Sequence, residues 1–181
     1  IMKVNRIKVI NFRNYGEEEL FFDDRKNIFL GENAQGKTNI LEAIYICSFA
    51  RSFRTQNAVD MIKLGEESAS VTLDAESQGT DKKISIIIND NGKKMIKKDN
   101  KPVRRTAELL NNLVVVIFSP EDLKIIKDSP EKRRNFLNKE ISQIKPNYYE
   151  NLRRYNEVLK QKNAVLKGSD PLRDEAMLDV F

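Results

Sequence analysis

Gly31-Glu32-Asn33-Ala34-Gln35-Gly36-Lys37-Thr38 constrains this chain more than any other stretch. It satisfies the pattern Gly-x-x-x-x-Gly-Lys-Ser/Thr at every fixed position. Two glycines let the backbone wrap so that successive N–H groups face phosphate oxygens. Lys37 supplies a point charge for β- and γ-phosphates, and Thr38 a hydroxyl for Mg²⁺. A helix starting here adds the positive end of its dipole. The flanks agree. Asn27-Ile28-Phe29-Leu30 is a short apolar run, predicted as a buried strand feeding the loop. Thr38–Ala50 carries Ile40, Leu41, Ala43, Ile44, Ile46, Cys47 and Ala50, which predicts a central helix, apolar almost all round. The bland alternative is a Gly-rich turn that happens to hold Lys and Thr; the strand and helix around it argue against that.

The 181 residues suffice for one sizeable domain with a real core. There is no histidine, which removes histidine general bases, Ser-His-Asp triads and histidine metal ligands. What remains is phosphoryl chemistry run by Lys, Mg²⁺ and carboxylates. The single cysteine, Cys47, allows no disulfide within the chain and fits a reducing compartment. No apolar stretch reaches bilayer length, so a cytoplasmic protein without a membrane partner is expected. Met2 reads as the natural start, with Ile1 ahead of it. Charge is uneven: residues 1–90 hold 12 basic and 14 acidic side chains, net −2, and residues 91–181 hold 20 and 13, net +7. A basic second half suits a polyanion such as DNA, or simply a solvated surface.

Along the chain, Met2–Phe12 is strand-like, with a bulge expected where the alternation slips between Val4 and Ile7. A polar turn, Asn11–Gly16, leads to a second strand at Glu18–Phe22. Asp60–Leu64 predicts a helical turn. Ser70–Glu76, Lys83–Ile88, Lys93–Lys98 and Lys101–Arg104 predict an antiparallel sheet, turning at Asn89–Gly92 and Asp99-Asn100. Seven of the fifteen residues Asn91–Arg105 are basic: Lys93, Lys94, Lys97, Lys98, Lys101, Arg104 and Arg105. They form either a phosphate-tracking ribbon or an edge protected by lysines. Thr106–Leu110 predicts a short capped helix, and Leu113–Phe118 a strand buried on both faces. Helix starts are expected at Ser119-Pro120 and again at Ser129-Pro130, the second carrying Lys132, Arg133 and Arg134. Pro146 should break that helix. Asn147–Lys167 then shows a heptad stripe, Tyr148, Leu152, Tyr155, Leu159, Lys162 and Leu166. It suits a coiled-coil arm or, preferably, one helix of a small bundle. Gly168–Pro171 should end it, with a further helix from Pro171.

Several segments together resemble the RecF family of bacterial DNA replication and repair proteins. They are Ile7-Lys8-Val9-Ile10-Asn11-Phe12-Arg13-Asn14-Tyr15, the Gly31–Thr38 loop with Asn39, Leu41-Glu42-Ala43-Ile44, and Ala50-Arg51-Ser52-Phe53-Arg54-Thr55. Phe118-Ser119-Pro120-Glu121-Asp122-Leu123 and Ser129–Leu137 make the match specific. The resemblance, from about Met2 to Lys167, implies an α/β fold: a P-loop ABC-ATPase-type head, with a mixed sheet around the central helix and an antiparallel β-subdomain. A helical lobe follows. The boundary would divide 1–119 from 120–181. The cofactors implied are ATP and Mg²⁺, with Gly31, Glu32, Asn33, Ala34, Gln35, Gly36, Lys37 and Thr38 as the nucleotide loop and Thr38 as the Mg²⁺ ligand. Arg13 would either lie near the nucleotide or shape its own turn. Arg51 and Arg54 would contact nucleotide or DNA. Relatives place a Gln after Phe118 to sense Mg²⁺; this chain has none there.

The implied function is ATP-dependent DNA binding in recombinational repair and replication restart, helping RecO and RecR to load RecA at gapped DNA, through an ATP-dependent homodimer. No apolar strand ending in Asp-Glu is present; Leu172-Arg173-Asp174-Glu175 has the acids alone. The chain therefore reads as an N-terminal fragment, expected to bind nucleotide weakly and without turnover. The runner-up is another P-loop NTPase, either a structural-maintenance-of-chromosomes head or a nucleotide kinase. Two strands before the loop count against the kinase, and intact Lys37 and Thr38 against a degenerate, non-enzymatic module.

Overall fold

A computed structural model describes residues 2–77, 79–110, 112–118 and 129–166. Its centre is a six-stranded antiparallel sheet in the order β2-β1-β3-β4-β5-β6. The strands are β1 (Met2–Ile10), β2 (Glu17–Phe21), β3 (Ser68–Ser77), β4 (Thr80–Asn89), β5 (Lys94–Lys98) and β6 (Lys101–Pro102). The register of β1 on β3 shifts between Val4 and Arg6, so the expected bulge is present. The β5–β6 turn places both Asp99 and Asn100 at positive φ, which short-chain Asx residues tolerate and a tight hairpin requires.

Alternation sends Ile7, Val9, Val71, Leu73, Ala75, Ile84, Ile86 and Ile88 to one face. Helix α1 (Lys37–Phe49) lies on that face through Ile40, Ala43, Ile46 and Cys47. The other face is polar. There Arg6 reaches Glu19 at 2.5 Å and Asp74 at 2.7 Å, and Lys8 reaches Glu17 at 2.6 Å. Cys47 is fully buried, and burial pushes its thiol well above the ordinary range. Alkylation of Cys47 is thus expected only through unfolding. Mass spectrometry after iodoacetamide treatment, native against urea-unfolded, checks this; rapid native labelling would contradict the packing.

The sheet is followed by a helical hairpin, α2 (Pro130–Ile144) and α3 (Pro146–Leu166). Pro146 ends one helix and opens the next, since a missing N–H costs nothing in a first turn. The hairpin is pinned to the rest by Gln143, which is 1% exposed. Its Nε2 donates to the Val115 carbonyl at 3.0 Å, and its Oε1 accepts from the Val115 N–H at 2.8 Å. Nearby, the Ser48 hydroxyl of α1 donates to the Leu113 carbonyl at 2.7 Å.

Three expectations need correcting. Residues 26–30 are not a strand, and of their apolar side chains only Phe29 is half-buried against the core, while Ile28 is 71% exposed and Leu30 89%. Leu113–Phe118 is extended without ladder pairing; Leu113 is buried, but Val116 and Phe118 are exposed. A parallel strand forms only between neighbours, and among the described residues neither run has one. The described sheet is accordingly antiparallel throughout. Third, Tyr155, Leu159 and Leu166 of the heptad stripe remain exposed, so within the described residues α3 belongs to a two-helix hairpin and not to a bundle. The predicted helix starts at Ser119 and Pro171, the stop at Gly168–Pro171, the acids at Asp174-Glu175 and the 119/120 boundary lie outside the described residues.

Candidate phosphate-binding site

The loop Gly31–Thr38 leads directly into α1, which begins at Lys37. Its shape depends on residues that accept positive φ: Gly31 at 147°, Ala34 at 67° and Gly36 at 105°. Among the described residues, the amide groups of Gly36, Lys37 and Thr38 donate to no protein acceptor. That leaves a run of N–H groups at a helix start, the feature that binds anions. Lys37 Nζ donates to the carbonyls of Gly31 at 2.7 Å and Glu32 at 2.5 Å, which ties the loop across its own mouth. Thr38 is exposed at the same end. The donor set fits a phosphate chain, with Thr38 as the available hydroxyl for Mg²⁺.

The turn after β1 is docked against this loop. Phe12 is fully buried, and the Arg13 N–H donates to the Met61 carbonyl at 2.9 Å. A Cβ on Gly36 would sit 2.7 Å from Tyr15 Oη and 2.8 Å from Asn14 Oδ1, so only glycine fits beneath this turn. Beneath the turn lies a residue that sequence reading passed over. Glu42, the one acidic residue of α1, is 0% exposed. Arg13 grips its carboxylate with a fork, Nε to Oε2 at 2.9 Å and Nη2 to Oε1 at 2.6 Å. The Ser52 hydroxyl also donates to it. Arg54 Nη1 adds a third cationic contact at 3.1 Å while donating to Asn39 Oδ1 at 2.6 Å. Arg13 Nη1 also donates to the Asp60 carbonyl at 2.6 Å. A lone acid amid apolar helix residues was the available signal for Glu42.

The basic candidates separate. β5 alternates, placing Lys94, Ile96 and Lys98 on the core side and Lys97 on the other, so the ribbon is not one basic face. Lys94 is committed elsewhere: its Nζ donates to the Ala50 carbonyl at 2.6 Å, at the end of α1, and burial lowers its pKa. A cation there complements the helix dipole. Lys93, Lys97, Lys101, Arg104 and Arg105 are exposed, as are Lys132, Arg133 and Arg134 at the start of α2. Arg51 and Arg54 line a cleft of about 1060 Å³ between α1 and the helical hairpin, beside Thr38, Tyr45, Phe118 and Lys139. Lys139 Nζ lies 4.9 Å above the Tyr45 ring, whose phenol burial holds above its ordinary value.

A helix-capped phosphate loop flanked by an antiparallel sheet and followed by helices is the architecture of a P-loop ATPase head of the ABC type. Residues 3–124 match the model of the RecF/RecN/SMC N terminal domain, and the chain belongs to that family. It is 43% identical over 166 residues to the DNA replication and repair protein RecF of Alkaliphilus oremlandii, covering 92% of this chain and 46% of the relative. It is 44% identical over 180 residues to RecF of Clostridium botulinum, covering 99% and 49%. The solved structure of the recombination mediator protein RecF-ATPrS in the RecFOR pathway superposes with a TM-score of 0.90 at 37% identity, covering 99% and 49%. The chain thus spans about half the length of the relatives it matches. Among the described residues, no helix is long and apolar enough to cross a membrane.

Proposed function

We propose that this chain is the phosphate-binding half of a RecF-type, ATP-dependent DNA-binding protein of recombinational repair and replication restart. The reading rests on one observation above all: amide groups at the start of α1, beside the Lys37 and Thr38 side chains, that meet no acceptor among the described residues, in a chain 37% identical to RecF-ATPrS. Gly31 to Thr38 would cradle the phosphates of ATP, with Lys37 on the outer phosphates and Thr38 toward Mg²⁺. Bound Mg²⁺ would neutralise phosphate charge. Arg13 would hold its turn through Glu42, while Arg54, with one longer bond to Glu42, is the arginine better able to turn toward nucleotide. Residues 1–119 would form the ATPase lobe and residues 120–181 the start of the helical lobe. A Walker B strand, a signature motif, ATP-driven dimerisation and hand-over to RecO, RecR and RecA would belong to the whole cytoplasmic protein. Ile28, Leu30, Val116 and Phe118 would be covered there by neighbouring strands.

The direct test is ATP and DNA titration of this chain, with steady-state phosphate release. Weak nucleotide binding without turnover is expected; turnover lost in Lys37→Ala would show that a complete active site lies within these residues. For DNA, charge reversal at Lys93, Lys97 and Lys101 in the full-length protein should flatten the dependence of log K on log salt by about one per lost phosphate contact. Reversal at Lys94 should leave that slope alone and lower the melting temperature instead. A slope indifferent to the first set would make the ribbon a solvated edge.

A further inference from the structure

Asn14 sits between two bonded neighbours. Its Nδ2 donates to the carbonyl of Gln35, inside the phosphate loop, at 3.2 Å. Its Oδ1 accepts from Asn39 Nδ2 at 2.7 Å. Asn39 is held in turn by Arg54, and Arg54 by the buried Glu42 carboxylate. The same carboxylate holds Arg13, the residue next to Asn14. A closed circuit of polar contacts therefore runs from the interior of α1 to the backbone of the loop. The turn carrying Asn14 is fixed besides by Asn11 N–H on the Gly16 carbonyl at 2.6 Å and Tyr15 N–H on the Phe12 carbonyl at 2.9 Å.

Peptide planarity turns this contact into a statement about the phosphate site. Among the described residues there are no cis peptide bonds, so the Gln35 carbonyl and the Gly36 N–H point in opposite directions. Holding the carbonyl on Asn14 aims the Gly36 N–H away from Asn14. Gly36, with no Cβ and φ of 105°, has little steric preference of its own for that orientation. We infer that Asn14 is a positioning residue of the phosphate loop: by fixing the Gln35–Gly36 peptide it keeps the Gly36 amide aimed at the anion. The inference rests on the nucleotide-binding role proposed above.

The test uses ¹⁵N-glycine-labelled chain, in which the Gly36 amide is one of seven glycine signals, together with ATP titration. In Asn14→Ala the Gly36 amide should shift or broaden and exchange faster, with the sheet-turn signal of Gly92 unmoved. ATP affinity should fall about tenfold, the worth of one net hydrogen bond. Asn14→Asp keeps the acceptor for Asn39 and removes the donor to Gln35, so the Gly36 amide should respond to it as it does to alanine. A Gly36 signal unchanged in both variants overturns the inference, and so does a lower melting temperature with that signal unchanged. The Gly36 readout needs no nucleotide. If the unaltered chain binds no ATP, the nucleotide reading falls, and the glycine spectrum still decides whether Asn14 sets the peptide.

Discussion

Replacing Lys37 by Ala should weaken ATP binding by roughly a hundredfold, in line with about 1.5–3 kcal/mol for a hydrogen bond to a charged group. The fold should survive. Lys37 is half-exposed, and among the described residues its ammonium bonds only to the carbonyls of Gly31 and Glu32. Those carbonyls can turn to water when it is gone. In the structure the lysine already lies across the loop. Its loss should therefore loosen the loop as well as remove a charge. Calorimetric titration with ATP and Mg²⁺, with a thermal melt of the same sample, checks both halves. Undiminished affinity would remove the phosphate-site assignment; a collapsed melt would show that the lysine is structural.

Glu42→Ala should be the most destabilising single change near the site. Glu42 is fully buried and Arg13 largely so, and they share two hydrogen bonds. Taking away one member of a buried pair strands the other, which typically costs about 3–5 kcal/mol. Arg13 keeps a bond to the Asp60 carbonyl at 2.6 Å and some access to water, so about 3 kcal/mol is the better figure. For a domain of this size that lowers the melting temperature by about 6–12 °C. Glu42→Gln keeps the shape but offers one acceptor oxygen and no charge, and should fall between. Urea or thermal unfolding of the three proteins decides; an unchanged midpoint for Glu42→Ala would mean the pair contributes nothing net.

How far these features could be read beforehand depended on how local their causes were. The phosphate loop was legible because glycine spacing and the Lys-Thr pair are set within eight residues. The hairpins from Ser68 to Pro102 were legible because alternation and positive-φ turn residues are local too, and even the bulge announced itself as a slip in period between Val4 and Ile7. Glu42 was not legible in the same way. Its partners Arg13, Ser52 and Arg54 come from segments on both sides, and only the docking of the β1 turn onto α1 brings them together. Lys94 looked like one basic residue among seven until the end of α1 was placed beside it. The runs at 26–30 and 113–118 failed for the opposite reason. Their composition is right for buried strands, but ladder partners are a property of neighbours, and none stands beside them among the described residues.

The pairing of β1 with β3 also sets an order of events. Ile10 lies opposite Ser70 and Met2 opposite Ser77, so the phosphate loop and α1 are enclosed in a long stretch of chain whose ends this ladder joins. The β3–β4 and β4–β5 hairpins close over short distances and can form early. Joining β1 to β3 requires a far larger closure, whose entropic cost precedes any contact it earns. Because Asn14, in the turn following β1, bonds to the Gln35 carbonyl of the loop, a refolding chain should regain most of its sheet before the loop takes its final shape.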